Sequence, residues 1–153
     1  MDNVNQKLTI YTIGFSKKSL RRFIELLKKA DVGRVVDVRL NNTSQLAGYS
    51  KRDDLEFVLS LVNIKYIHLP SLAPTENILK KYKDKQLSWH DYEKEFLSLL
   101  EERKVLKLWG SEINPTEINC LLCSEERPDR CHRRLVANYF LAFDNTVDVK
   151  HLY

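Results

Sequence analysis

Apolar residues in this chain follow two rhythms. Short, nearly unbroken runs occupy residues 7–14, 34–39, 65–69, 118–123 and 147–152, each the length of a strand buried in a sheet. Between the runs the spacing turns helical. Leu20, Phe23, Ile24 and Leu27 fall at i, i+3, i+4 and i+7, and three later sets keep a helical spacing: Leu55, Val58, Leu59 and Val62; Tyr92, Phe96, Leu99 and Leu100; Leu135, Val136, Tyr139, Phe140 and Phe143. Ser16 or Ser19 is placed to cap the first helix, Ser50 the second, and Ser88, with Asp91 three positions on, the long one. Residues 76–83 read as a short helix. Residues 105–115 fit either a continued helix or a linker, ended by Gly110 and Pro115. The order β-α-β-α-β-α-α-β-α-β predicts one α/β domain over residues 7–153, behind a tail of residues 1–6. Its sheet is expected to be mainly parallel, of about five strands, with helices on both faces.

Composition narrows the setting. At 153 residues, 43% apolar and 30% charged, the chain has the make-up of a globular domain. No apolar run approaches the ~18–20 residues of a membrane helix, so no membrane partner is expected. The first residues carry neither a basic region nor an apolar core of a secretory signal. With three cysteines, an odd number, reduced thiols in the cytoplasm are expected rather than a disulfide framework. The net charge of +4 permits an anionic partner without requiring one. No cofactor is implied, and nothing fixes an oligomeric state.

In an open parallel sheet, ligands gather beyond the carboxyl ends of the strands. Those ends read Gly14-Phe-Ser16, Asp37-Val-Arg39, His68-Leu-Pro70 and Cys123-Ser-Glu-Glu. Asp37 and Arg39 project from one face and can pair, as part of a site or as an ordinary ion pair. Cys120 and Cys123 point to opposite strand faces, so they cannot act as a Cys-x-x-Cys redox pair. Cys120 reads as a small buried hydrophobe. Asp129 is expected to cap the last helix, placing Cys131 in its first turn. There the dipole and Arg130, Arg133 and Arg134 would favour its thiolate, and the thiol would lean toward Cys123. Three readings stay open for Cys123 and Cys131: buried structural residues, a reactive or redox pair, or a metal site with His132 and His68. Zinc asks for four such ligands and this spacing matches no common motif, so no metal is assigned. The strand–loop–helix form invites comparison with rhodaneses and tyrosine phosphatases, whose arginine falls six residues after the cysteine. Here Asp129 holds that position and Arg130 follows.

Basic residues also crowd three helix starts: Lys17, Lys18, Arg21 and Arg22; Lys51 and Arg52; Arg133 and Arg134. Cations oppose the positive end of a helix, so either an anion compensates or the clustering is chance.

Taken together, Thr12-Ile-Gly-Phe-Ser16, Val36-Asp-Val-Arg39, Tyr66-Ile-His-Leu-Pro70, Leu121-Leu-Cys123 and Cys131-His-Arg133 resemble the domain of unknown function 488 family. The first motif departs from that family's usual Gly-His-Ser by carrying Phe15. The resemblance implies an α/β fold and no assigned reaction. Three readings follow, of which the last is a redox or thiol-sensing protein whose Cys131 reacts much faster than Cys120. In the first, His68, Asp37, Arg39, Cys123 and Cys131 line one cavity holding a small anionic or nucleotide-like ligand. Arg39, Arg133 and Arg130 would neutralise it, Ser16 and Asp37 orient it, and His68 with Cys123 or Cys131 do the chemistry, with His132 on the same wall. In the second, the basic helix starts bind nucleic acid and the thiols are structural.

Overall fold

The computed structural model describes residues 8–43 and 45–153, with side chains at all of these except residues 45–47. The expected tail at residues 1–6 lies outside the described residues. Five parallel strands form one sheet in the order β3-β2-β4-β1-β5. They are β1 (Leu8–Gly14), β2 (Arg34–Asp37), β3 (Lys65–His68), β4 (Asn119–Cys123) and β5 (Val147–Leu152). Five α-helices connect them: α1 (Leu20–Lys29), α2 (Arg52–Leu61), α3 (Glu76–Lys83), α4 (Trp89–Glu102) and α5 (His132–Phe143). No helix among the described residues is long and apolar enough to cross a membrane.

Local chemistry sets several helix starts. The side chains of Ser19, Thr75 and Ser88 accept from the amides of Arg22, Ile78 and Asp91, satisfying donors that a helix start leaves unpaired. Ser50 does not cap α2. Lys51 holds that position, and buried Ser50 instead presents its carbonyl to Arg39 at 2.7 Å. The ambiguous stretch is a 3-10 turn over Val105–Leu108 followed by a bridge from Trp109 to Ile113.

The period-two alternation of the strands divides the core. Ile13, Val35, Cys120 and Leu122 face α1 and α2, where they pack on Phe23, Leu27, Leu55 and Leu59. Ile10, Val36, Leu121 and Cys123 face the other way, against Ile78, Phe96, Leu135 and Phe140 of α3, α4 and α5. Chain direction accounts for the two layers. The connections after β1 and β2 move one way across the sheet and those after β3 and β4 move back. Right-handed crossovers then place α1 and α2 on one face and α3 to α5 on the other. The loops leaving β2 and β4, which are neighbours, therefore diverge and open a crevice at the carboxyl edge.

Candidate active site

A cavity of about 240 Å³ fills that crevice. Arg39, Leu40 and Asn41 of the β2 loop form one wall, and Tyr82 of α3 with Tyr92 of α4 form another. Cys123, Cys131 and His132 line it from the end of β4 and the start of α5. Arg130 is exposed on the loop just before them. The aromatic wall is built by ring contacts: Trp89 stacks on Tyr92 at 4.9 Å, and Tyr82 meets Tyr92 at 5.0 Å with the rings tilted by 50°.

The sulfur–imidazole cluster has a defined hydrogen-bond logic. Nε2 of His132 lies 2.6 Å from the Val38 carbonyl at the edge of β2, which can only accept, so Nε2 carries the proton. Nδ1 is then left without a proton, 3.6 Å from the Cys123 sulfur, which lies against the ring and 3.8 Å from Nε2. Phe96 packs edge-on against the imidazole and fixes its plane. Sequence reasoning placed Asp129 at the α5 cap. Instead Cys131 itself is the N-cap residue, in extended conformation and without a side-chain cap bond. Its thiol turns to Cys123, as the lean toward the sheet implied.

The titration order of the two thiols is the reverse of the dipole argument. The Cys131 thiol donates to Cys123 and pulls the Cys123 pKa down. Burial opposes this, while the amides of Ser124 and Glu125 and the charge of Arg133 reinforce it. Cys131, as the donor and buried, is pushed well up. The bond between the two thiols sets this order, and the two amides that reach Cys123 reinforce it. Cys120, on the opposite face, is pushed up by burial. Burial also raises the Tyr92 pKa, and thiolate charge at Cys123 and Cys131 adds to it.

Arg133 is fully buried and is not on the cavity wall. Its guanidinium donates to the carbonyls of Glu125 and Glu126 and to Thr12 Oγ1, which also meets His151 Nδ1 at 2.6 Å. It therefore shapes the loop after β4 rather than presenting charge to a ligand. Gly14, beside Cys123 in the sheet, lets that loop approach, because a Cβ there would overlap the Glu125 carbonyl. Arg134 likewise donates to the carbonyls of Pro128 and Asp129. Lys17 pairs with Glu126 and Lys51 with Asp54. Much of the basic clustering thus has acceptors within the chain.

Asp37 and His68 do not line the cavity. Asp37 shares the strand face of Val35, away from Cys123, and forms a buried cluster there. It accepts from Arg39 Nε at 2.9 Å and Nη2 at 2.8 Å, from Tyr66 Oη at 2.6 Å and from Asn42 Nδ2 at 3.3 Å. Burial pushes the carboxyl up, but these bonds and the Arg39 charge hold it below the usual range. The guanidinium of Arg39 is correspondingly committed, although the residue borders the cavity. His68 donates Nε2–H to the Arg39 carbonyl at 2.7 Å, steadying the β2 loop. Ser16 lines a neighbouring surface depression with Arg130. Of the nine residues singled out from sequence, the cavity therefore brings together Arg39, Cys123, Arg130, Cys131 and His132. Asn41, Tyr82 and Tyr92 were missed, Tyr92 being read only as part of the apolar face of its helix.

The sequence model of the family described as domain of unknown function DUF488 matches residues 19–140. The chain belongs to this family. In this DUF488 domain the matched segment contains the β2 loop, His68 and the whole sulfur–imidazole cluster, whereas Gly14-Phe15-Ser16 precedes it. No curated protein and no solved structure matches the chain. As for metal ligation, Cys123, Cys131 and His132 offer ligand atoms within 4.8 Å of one another. The fourth member considered, His68, is not in that group, and a closed structural zinc site needs four.

Proposed function

We propose that this DUF488 domain is an enzyme-like domain that binds a small anionic or nucleotide-like ligand in the carboxyl-edge cavity and uses Cys123 as its nucleophile. The observation that carries this reading is the placement of the Cys123 sulfur on the cavity wall. There it meets the His132 ring, whose other nitrogen is anchored on Val38. A base held in one tautomer beside a thiol is the arrangement that activates a cysteine. His132 takes the thiol proton at Nδ1, and the amides of Ser124 and Glu125 stabilise the resulting charge. Arg130 supplies a cation for the ligand, and Tyr82 and Tyr92 offer a flat apolar wall to a ring. Asp37, His68 and Arg133 are positioning residues: they set the two loops between which the ligand would lie.

Iodoacetamide labelling, read by peptide mass spectrometry, tests this. At neutral pH Cys123 is expected to label at least about tenfold faster than Cys120 or Cys131. Because its folded pKa is depressed, its rate should fall only as pH drops through a value below the ordinary ~8.5 of a free thiol. His132→Ala should raise that midpoint. Inorganic phosphate or a nucleoside monophosphate should slow labelling in the wild type, and Arg130→Ala should weaken that protection. Equal, slow labelling of all three thiols would sink the proposal.

A further inference from the structure

The nucleophile reading uses Cys131 only as a hydrogen-bond donor to Cys123, yet its thiol lies in the same cluster with a sulfur of its own to react. We propose that Cys131 is a resolving thiol, so that the domain reduces small anionic disulfides and closes a Cys123–Cys131 disulfide in return. This inference rests on Cys123 being the attacking thiolate.

Three observations carry it. Both thiols are free, buried, and within 4.8 Å of each other and of the imidazole. The loop between them is already folded back, which holds the two sulfurs close to one another. The Cys131 amide bonds to the Pro128 carbonyl, and Arg133 and Arg134 hold four carbonyls of the same loop. Cys131 also sits at the cap position with no side-chain cap bond, so no backbone amide holds its sulfur in place. Cys120 is fully buried on the opposite sheet face and is excluded as an alternative partner. The substrate class follows from the surroundings. Arg130 stands beside the thiols, Tyr82 and Tyr92 form an apolar wall, and the cavity volume of about 240 Å³ admits one half of a small disulfide.

The steps balance. The Cys123 thiolate, its proton held at His132 Nδ1, attacks one sulfur of the substrate and forms a mixed disulfide; the expelled substrate thiolate, or the solvent it leaves into, takes that proton. The Cys131 thiol gives its proton to His132 Nδ1, now vacant, and its sulfur attacks Cys123 Sγ. The Cys123–substrate bond breaks, the second substrate thiolate leaves and takes up the proton. The dithiol has lost two electrons and the substrate has gained them. A small external dithiol returns the protein to its starting state.

Dithionitrobenzoate, an aromatic disulfide bearing carboxylates, is the probe. The full chain and its Cys120→Ser variant should release two thionitrobenzoate ions per chain in two steps. The product should carry no adduct, be lighter by two hydrogens, and have Cys123 joined to Cys131 by peptide mapping. Cys131→Ser should release one ion and keep the adduct on Cys123. The inference is overturned, with the nucleophile reading intact, if the wild type releases the first ion quickly but retains one or two adducts. It is also overturned if Cys120 enters the disulfide. A slow first release that zinc chelation restores would show the cluster to be a metal site and sink the inference. A slow first release unaffected by chelation would remove the nucleophile reading as well. The decisive measurement uses the wild-type chain, so it does not depend on a variant folding.

Discussion

Gly14→Ala is expected to unseat the loop after β4 and to cost about 3–4 kcal/mol of stability. The added Cβ would overlap backbone atoms of Glu125, not the end of a flexible side chain, so something structural must move. β1 cannot yield easily. Gly14 pairs with Cys123 in register, and the next amide, Phe15, donates to the Cys123 carbonyl. The loop gives way instead, which draws the Glu125 carbonyl off the fully buried Arg133 and leaves part of a guanidinium without an acceptor. The Glu125 amide would shift as well, so Cys123 would lose one of the groups that depress its pKa. Two readouts check this: a fall in thermal midpoint on the order of 10 °C, and a rise in the pH at which Cys123 labels. A variant that melts within about 1 kcal/mol of the wild type and labels unchanged would contradict the argument.

Asp37→Ala should be as damaging for a different reason. It removes the only negative partner, among the described residues, of the buried Arg39 guanidinium and leaves Tyr66 Oη and Asn42 Nδ2 without their shared acceptor. Breaking a buried pair from one side costs about 3–5 kcal/mol, because the surviving charge stays desolvated. Replacing both members, as Asp37→Leu with Arg39→Met, should restore a measurable part of the loss. The acid limb of the stability curve supplies a second test. The folded pKa of Asp37 is depressed, so its contribution is fully present above the unfolded value of about 4 and is lost as pH falls through the folded value. The Ala variant should therefore show a flatter decline below about pH 4 than the wild type in urea denaturation.

These two residues also show what could be read from the chain and what could not. Five strands, five helices and the parallel order were legible because the periods of two and 3.6 are strong and the loops short. The carboxyl edge as the place of a cavity followed from the fold class. The choice of residues at that edge was less secure, because sharing an edge does not mean sharing a face. Asp37 and Cys123 end neighbouring strands, yet alternation sends one toward α2 and the other toward α4 and α5. Cys120 was placed correctly by the same rule applied within one strand. His132 was marked as a ligand contact, while His68 received the base role on its position alone. Only the structure shows that the His132 ring is held by the carbonyl of Val38, 94 residues away in sequence, and lies against Cys123. Arg133 was read as a ligand cation since nothing in its neighbours' identities announces that loop carbonyls will meet it.

The way Arg133 and Gly14 hold the loop after β4 has a consequence for how this domain can diversify. The path of residues 124–129 is dictated from outside, by a guanidinium on α5 and an absent side chain on β1, acting on carbonyl oxygens that every residue type possesses. The loop's own side chains are thus largely relieved of structural duty. Glu125, Arg127, Asp129 and Arg130, all exposed, can be exchanged without redrawing the backbone that cradles Cys123. Loop shape and loop side-chain identity are thus set separately, so the scaffold can change the second without redrawing the first.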